Sequence, residues 1–291
     1  MVAVLRSDLI TQGPAIDAFE AATSKKVSAN HAVASNSATS SLHVACLALD
    51  VGPGDTVWTS PNSFVASSNA ALYCGAEVDF VDIDPNTLCM SVDALRAKLE
   101  DARQRSKPLP KVVIPVHFAG QSCDMARIRQ LGSDYGFKII EDASHAIGAE
   151  YQGASTSPAG SAADANLEVE FAPVGNCDYS DICVFSFHPV KIITTGEGGM
   201  ATTKCPELAE RMREFRSHGI TRNPDRMTTP THGPWYYQMR SLGFNYRMTD
   251  ISAALGLSQL GRLNEFIQRR RSIAQHYDEH FSSNDAGSGS L

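Results

Sequence analysis

No run of about eighteen apolar residues occurs anywhere in the 291-residue chain, so no membrane-spanning helix is expected. The opening MVAVLRSDLITQG lacks the organisation of a signal peptide, and a cytoplasmic location is the expectation. The seven cysteines (Cys46, Cys74, Cys89, Cys123, Cys177, Cys183 and Cys205) are odd in number, scattered, and without a C-x-x-C pair. They point to neither a disulfide framework nor a zinc site, and no metal is expected. Most sit among apolar neighbours and read as small core residues of a reducing compartment. Basic charge is also short: 25 Lys and Arg against 32 Asp and Glu leave a net −7. The longest basic run, Arg269–Arg271, falls in a helical pattern and reads as a solvated face, so no nucleic-acid footprint is present. Neither G-x-G-x-x-G nor a G-x-x-x-x-G-K-[ST] loop occurs, which lowers dinucleotide and nucleoside-triphosphate readings. No internal repeat is visible.

What the chain does have is a core, with 43% hydrophobic residues. From residue 30 to 205, short apolar runs alternate with helical stretches. The runs are DTVWTS (55–60), AEVDFVDID (76–84), KVVIPVH (111–117), FKIIEDA (137–143) and ICVFSF (182–187). Helical segments fall near 39–49, 63–73, 91–104 and 123–134. This rhythm predicts an α/β fold, with a mostly parallel sheet and helices on both faces. Ligands of such sheets bind beyond the carboxyl ends of the strands. The polar residues closing the runs, among them Pro61, Asn62, His117, Asp142 and the stretch from His188 to Lys191, are therefore the first candidates. Residues 206–217 read as a helix, and 220–245 as an ordered loop with an aromatic cluster at Trp235, Tyr236 and Tyr237. From the N-cap candidate Thr249 the pattern is helical to Phe281, as one long helix or two with a bend.

Three segments have wording suited to chemistry. In SFHPVKIITTGEGG (186–199) a lysine follows a strand and precedes a glycine turn. Desolvation between Val190 and Ile192 would favour the neutral, nucleophilic amine of Lys191. A surface lysine beside a glycine turn has the same wording. In EDASHAIGA (141–149), Asp142 closes a strand, where its carboxylate could hold a protonated ring nitrogen, and His145 could face the same cavity. A turn-capping Asp and a packed His read the same way. In ASNSATSSLHVA (34–45), small and hydroxyl residues lead into a helix whose first N–H groups, at Ala38 and Thr39, suit a phosphate. Ordinary helix caps look alike. Phe64, after the Pro61-Asn62-Ser63 turn, could stack on a flat ring or simply fill a core. Together these four elements are the parts of a pyridoxal-phosphate site.

Longer stretches carry a resemblance. LITQGPAIDAFE (9–20), NSATSSLHVACLALDVGPGDTV (36–57), SPNSFVASSNAALYCGAEVDFVDID (60–84), PVHFAG (115–120), EDASHAIGAEYQG (141–153), SFHPVKIITTGEGGMATT (186–203), SHGITR (217–222) and LGFNYRMTDISAALGLSQLGRL (242–263) follow one another in family order. The chain resembles the DegT/DnrJ/EryC1/StrS family of sugar aminotransferases over nearly all of residues 1–281.

The resemblance implies an aspartate-aminotransferase-type (PLP fold type I) large domain and pyridoxal 5'-phosphate as cofactor. It implies Lys191 as the lysine that carries the cofactor and Asp142 as partner of the ring nitrogen. Phe64 matches the aromatic over the ring, and Ala38, Thr39 and Ser186 match phosphate ligands. His145 and His188 match pocket residues. Asn245 matches a residue reaching the neighbouring subunit's cofactor phosphate, which implies a homodimer with shared sites. Thr11, His218 and Arg247 fall in segments near the sugar-nucleotide site.

The wording is most similar to the pseudaminic acid branch. It implies amino transfer from L-glutamate to C4 of UDP-2-acetamido-2,6-dideoxy-β-L-arabino-hexos-4-ulose. Perosamine or bacillosamine-precursor aminotransferases, and a non-catalytic sugar-nucleotide-binding protein on the same fold, are the alternatives. A sugar dehydratase of this fold has histidine in the lysine's place, whereas Lys191 is present. The expected organisation is a large domain at 1–248 that begins inside the family's N-terminal helix. An insertion at about 154–175, a helical segment at 249–281 leading into an incomplete small C-terminal domain, and a frayed tail at 282–291 complete it.

Overall fold

The computed structural model describes residues 1–152 and 171–285. Helices are α1 (Val2–Leu5), α2 (Pro14–Val27), α3 (Ala38–Ala48), α4 (Ala66–Tyr73), α5 (Val92–Gln104), α6 (Met125–Tyr135), α7 (Pro206–Arg216), α8 (Asp250–Leu260) and α9 (Leu263–Asp285). Strands are β1 (His31–Ser35), β2 (Thr56–Thr59), β3 (Glu77–Phe80), β4 (Val112–Ile114), β5 (Lys138–Asp142), β6 (Glu150–Gln152), β7 (Phe171–Pro173), β8 (Ile182–Ser186), β9 (Gly199–Thr203), β10 (Ile220–Thr221) and β11 (Gln238–Met239). The expected insertion falls mostly outside the described residues, as does the tail from 286.

Seven strands form the central sheet in the order β1-β9-β8-β5-β4-β2-β3. Every neighbouring pair is parallel except the two that involve β9. The parallel strands need covering helices on both faces, and their sequences show it as unbroken apolar runs. Within those runs alternate residues face opposite ways. Trp58, Val113, Ile139 and Phe185 enter one core cluster with residues of α2, α5, α6 and α8. Val57, Ile114, Ile140 and Val184 enter a second, with α3, α4 and α7. Burial of each large apolar side chain contributes about 1.5–3 kcal/mol.

The helices follow local rules. Ser91 caps α5 by accepting the Ala94 N–H at 3.2 Å, and Val92, Leu95, Leu99 and Ala102 recur on the face that is buried. Asp124 caps α6 from the Arg127 N–H at 3.2 Å, and Gly136 ends the helix in the left-handed region at φ +84°. The helical pattern beyond Thr249 divides at residues 261–262 into α8 and α9. Two strands that the apolar runs do not reveal complete the sheet. HAVAS (β1) is short and mostly small, and GMATT (β9) emerges from a glycine turn.

Long-range polar contacts fix the N-terminal segment to this frame. Asp250, at the start of α8, accepts the N–H groups of Gly13 at 2.7 Å and Ala15 at 2.9 Å. Glu20 of α2 is buried. It accepts the Ala34 N–H of β1 at 2.8 Å and pairs with Arg216 of α7 at 2.7 Å. Such a carboxylate is tolerated inside because its oxygens are satisfied. Among the described residues no helix is long and apolar enough to cross a membrane.

Candidate active site

A cavity of about 370 Å³ opens beyond the carboxyl ends of β4, β5 and β8. It is lined, among others, by Ala38, Thr39, Phe64, Asp142, Ser186 and Lys191. His145 and His188 line it too. The strand ends place these groups, because the parallel array aims its terminal residues at one side of the sheet.

Asp142 is the last residue of β5 and is 4% exposed. Its main chain is clamped between strands: its N–H donates to the Pro115 carbonyl at 2.9 Å and its carbonyl accepts the His117 N–H at 3.0 Å. Ser67 of α4 donates its hydroxyl to Asp142 Oδ2 at 2.5 Å, and the Ser144 N–H donates to Oδ1 at 3.1 Å. The two bonds, one to each oxygen, hold the plane of the carboxylate.

Lys191 stands in the loop between β8 and β9. Its N–H donates to the His188 carbonyl at 2.9 Å, which closes a tight turn. Burial holds its amine below the ordinary lysine value, and the negative charge of Asp142 opposes that shift. Burial also lowers the imidazole pKa of His145, with the positive charge of Lys191 acting in the same direction and Asp142 against it. Both effects raise the neutral fraction of two side chains that could transfer protons.

The first turn of α3 forms the opposite wall. Ser37 caps it by accepting the Ser40 N–H at 3.1 Å, which leaves the Ala38 and Thr39 N–H groups ahead of the intrahelical ladder. Gly199 of β9 makes this approach possible. A Cβ there would stand 2.4 Å from the Ser37 carbonyl oxygen and 2.5 Å from the Ala38 nitrogen. Ser186 Oγ accepts the His188 N–H at 3.4 Å, so the serine also orders the start of the lysine loop. Phe64 reaches the cavity while 73% exposed.

Behind the site lies a wholly buried pair. His117 Nδ1 accepts the Cys123 N–H at 3.1 Å, so Nε2 carries the hydrogen and donates it to Glu141 Oε2 at 2.8 Å. Ser180 donates to the other oxygen of Glu141. His117 also lines the cavity.

Four residues singled out in the sequence stand elsewhere. Asn245 is exposed beside the loop between β1 and α3, its carbonyl accepting the Asn36 side-chain amide at 3.5 Å. Thr11 is exposed and bridges to Thr249. His218 takes a left-handed backbone, φ +63°, and its N–H donates to the Phe244 carbonyl at 2.9 Å. Arg247 lines a separate cavity of about 400 Å³ with Gln12 and Arg216. The sequence reading missed Ser67, Ser37, Ser144 and Glu197, which all belong to or support the site. Glu197 lies within the glycine-turn motif, whereas Ser67 had no local signal because only the packing of α4 brings it to Asp142.

Known proteins share this architecture. The UDP-4-amino-4,6-dideoxy-N-acetyl-beta-L-altrosamine transaminase of Campylobacter jejuni is 36% identical over 280 residues, 96% of this chain and 65% of that protein. The GDP-perosamine synthase of Caulobacter vibrioides is 36% identical over 261 residues, 90% of this chain and 60% of that protein. The crystal structure of NtdA from Bacillus subtilis, solved with bound cofactor PMP, superposes with a TM-score of 0.77 at 28% identity. It covers 98% of this chain and 56% of that one. The chain thus spans less than two thirds of the length of these relatives. The sequence pattern of one family matches residues 1–289, and the chain belongs to it: the DegT/DnrJ/EryC1/StrS aminotransferase family.

Proposed function

We propose that this chain performs pyridoxal-phosphate-dependent amino transfer from L-glutamate to C4 of a UDP-4-keto-6-deoxy-N-acetylhexosamine, as in pseudaminic acid biosynthesis. The observation that carries the reading is the convergence of Lys191, Asp142 and the first turn of α3 on one cavity. The residues fit the cofactor. A buried carboxylate, oriented by Ser67 and Ser144, suits a protonated pyridine nitrogen. Helix N–H groups that have no intrahelical acceptor suit a phosphate. When bound, the cofactor supplies an electron-accepting ring that stabilises a carbanion next to nitrogen.

The chain's own groups do the rest. Asp142 keeps the proton on the pyridine nitrogen. Ala38 and Thr39 hold the phosphate through their N–H groups, with the Thr39 and Ser186 hydroxyls beside them. Phe64 covers the ring and excludes water. Lys191 Nζ takes the α-proton of the amino donor and returns a proton to the acceptor side, a role that its lowered pKa favours. His145 and His188 order the pocket. Thr11, His218 and Arg247 would meet the sugar nucleotide outside the cofactor cavity. Residues 1–248 form the cofactor-binding unit in this reading, and 249–281 lead away from it.

A second reading is an aminotransferase for a GDP-linked ketosugar. It is favoured by the equal 36% identity to the perosamine synthase. One experiment separates these readings. The protein is loaded with pyridoxal phosphate, reduced with borohydride and mapped by peptide mass. The pyridoxyl group is expected on Lys191, and a label on another lysine defeats the assignment. Release of 2-oxoglutarate from glutamate is then followed with UDP- and GDP-linked 4-ketosugars. Preference for the GDP sugar selects the second reading. Sugar-nucleotide binding without any glutamate-dependent absorbance change selects a non-catalytic binder.

A further inference from the structure

A serine hydroxyl in or just before a helix commonly bonds a carbonyl three or four residues back. Two neighbours in this segment do so: Ser68 donates to the Val65 carbonyl at 3.0 Å and Ser63 to that of Ser60 at 3.1 Å. Ser67, in the first turn of α4, does not. Its hydroxyl leaves the helix and donates to Asp142 Oδ2 at 2.5 Å, 75 positions along the chain. Ser67 is wholly buried and Asp142 is 4% exposed, so little water competes for this bond. Of the four buried residues of α4, Ala66, Ser67, Ala70 and Ala71, only Ser67 has a polar atom in its side chain. An alanine would pack on that face equally well, so packing does not account for the hydroxyl.

We propose that Ser67 is a positioning residue for the amino transfer: its hydroxyl sets the Asp142 carboxylate at the angle at which it meets the pyridine nitrogen. The proposal rests on the cofactor reading above. The last torsion of an aspartate is broad, so the strand that carries Asp142 does not by itself fix the carboxylate plane. The Ser144 N–H restrains Oδ1 at 3.1 Å, but one contact leaves the plane free to turn about it. The Ser67 hydroxyl on the other oxygen removes that freedom. Each carboxylate oxygen can accept more than one hydrogen bond, so Asp142 retains capacity for a ring N–H presented from the cavity.

The two restraints differ in origin. Ser144 follows Asp142 by two residues and moves with the end of β5, whereas Ser67 belongs to another element. Ser67 alone therefore refers the carboxylate to the opposite wall. That wall is itself anchored, because Ala66, Ala70 and Ala71 enter the core cluster that contains Ile140 of β5. The Ser67 N–H also donates to the Phe64 carbonyl at 3.3 Å. The residue that orients the partner of the ring nitrogen thus belongs to the same turn as the aromatic proposed to cover the ring.

The test titrates the full chain, Ser67→Ala, Asp142→Ala and the double variant with pyridoxal phosphate, followed by absorbance. Ser67→Ala should raise the dissociation constant about tenfold, the low end for loss of groups that orient metal-binding side chains. In the Asp142→Ala background the same change should have no effect, within about twofold. An equal loss in both backgrounds makes Ser67 a packing residue and overturns the proposal, as does unchanged affinity in the single variant. The second arm uses 1-deazapyridoxal phosphate, whose ring has C–H in place of the nitrogen. The unaltered chain and Ser67→Ala should bind it equally, within about twofold. A loss as large as that for pyridoxal phosphate overturns the proposal, and this arm decides the matter if Asp142→Ala does not fold. Ser67→Cys, which fills the position with a weaker donor, should give the same pattern and replaces Ser67→Ala if that variant does not fold. If the unaltered chain takes up no pyridoxal phosphate, the cofactor reading falls and the proposal with it. If it takes up the cofactor and Ser67→Ala matches it, the proposal alone falls.

Discussion

At the scale of single residues, the site depends on how one carboxylate and one amine share a partly dry cavity. Burial removes water from around Lys191 and disfavours its ammonium form, while Asp142 pulls the other way. The amine should therefore lose its proton below the ordinary lysine pKa of about 10.4. Labelling of Lys191 by an amine-selective reagent, followed by peptide mass as a function of pH, should rise with a midpoint below that value. In Asp142→Asn the midpoint should fall further, because the charge that retains the proton is gone. A wild-type midpoint at or above that of exposed lysines, or an upward shift in Asp142→Asn, would contradict the electrostatic account. Asp142 was legible because it closes an apolar run and Lys191 because it follows one and precedes a glycine turn, although only the combination with the other segments set them apart from a capping Asp and a surface lysine. Ser67 was not, since a serine in a small-residue helix carries no sign of the strand it will face.

At the scale of elements, the phosphate site proposed at the start of α3 depends on the close approach of β9 and that helix start, backbone to backbone. Gly199 is the residue that permits it, since a side chain there would overlap Ser37 and Ala38. Gly199→Ala must push the strand from the helix start. It should cost about 1–3 kcal/mol of stability by overpacking and weaken pyridoxal phosphate binding. Gly52→Ala, where an added Cβ meets nothing within 4 Å, is the matched control and should be near neutral. Urea unfolding and a cofactor titration on both variants would check this. Equal behaviour of the two would remove Gly199 from the argument. The same contact explains why β9 escaped the sequence reading: its five residues, GMATT, lack the apolar run of a parallel strand. Its antiparallel direction follows from its immediate return after the lysine loop.

At the scale of the whole molecule, Asn245 sits exposed next to the loop between β1 and α3, and Phe64 at the cavity and Leu242 three residues before Asn245 are large apolar side chains that are also exposed. We propose a homodimer in which Asn245 would reach the phosphate bound by the partner. Sedimentation should then show a dimer, and Asn245→Ala should lose cofactor without losing assembly. Mixing Asn245→Ala with Lys191→Ala chains should restore some intact sites, because each mixed dimer can build one site from unaltered residues. A monomer that retains cofactor on dilution would sink this arrangement.

The sequence by itself determined the class of fold and singled out most of the described residues that line the cavity. Both follow from patterns a few residues long: apolar runs buried on two faces, polar residues that close them, and a capped helix start. The tertiary structure alone decided which of those residues share a cavity. It brought Ser67 to Asp142 and Gly199 to Ser37, and set Arg247 and Thr11 outside the cavity that Lys191 and Asp142 share. The reason is physical. Strand ends and helix caps are governed by neighbours in the chain, whereas the meeting of α4 with β5, or of two loops on one side of a sheet, depends on sheet order. That order is settled only when all the apolar faces are buried together.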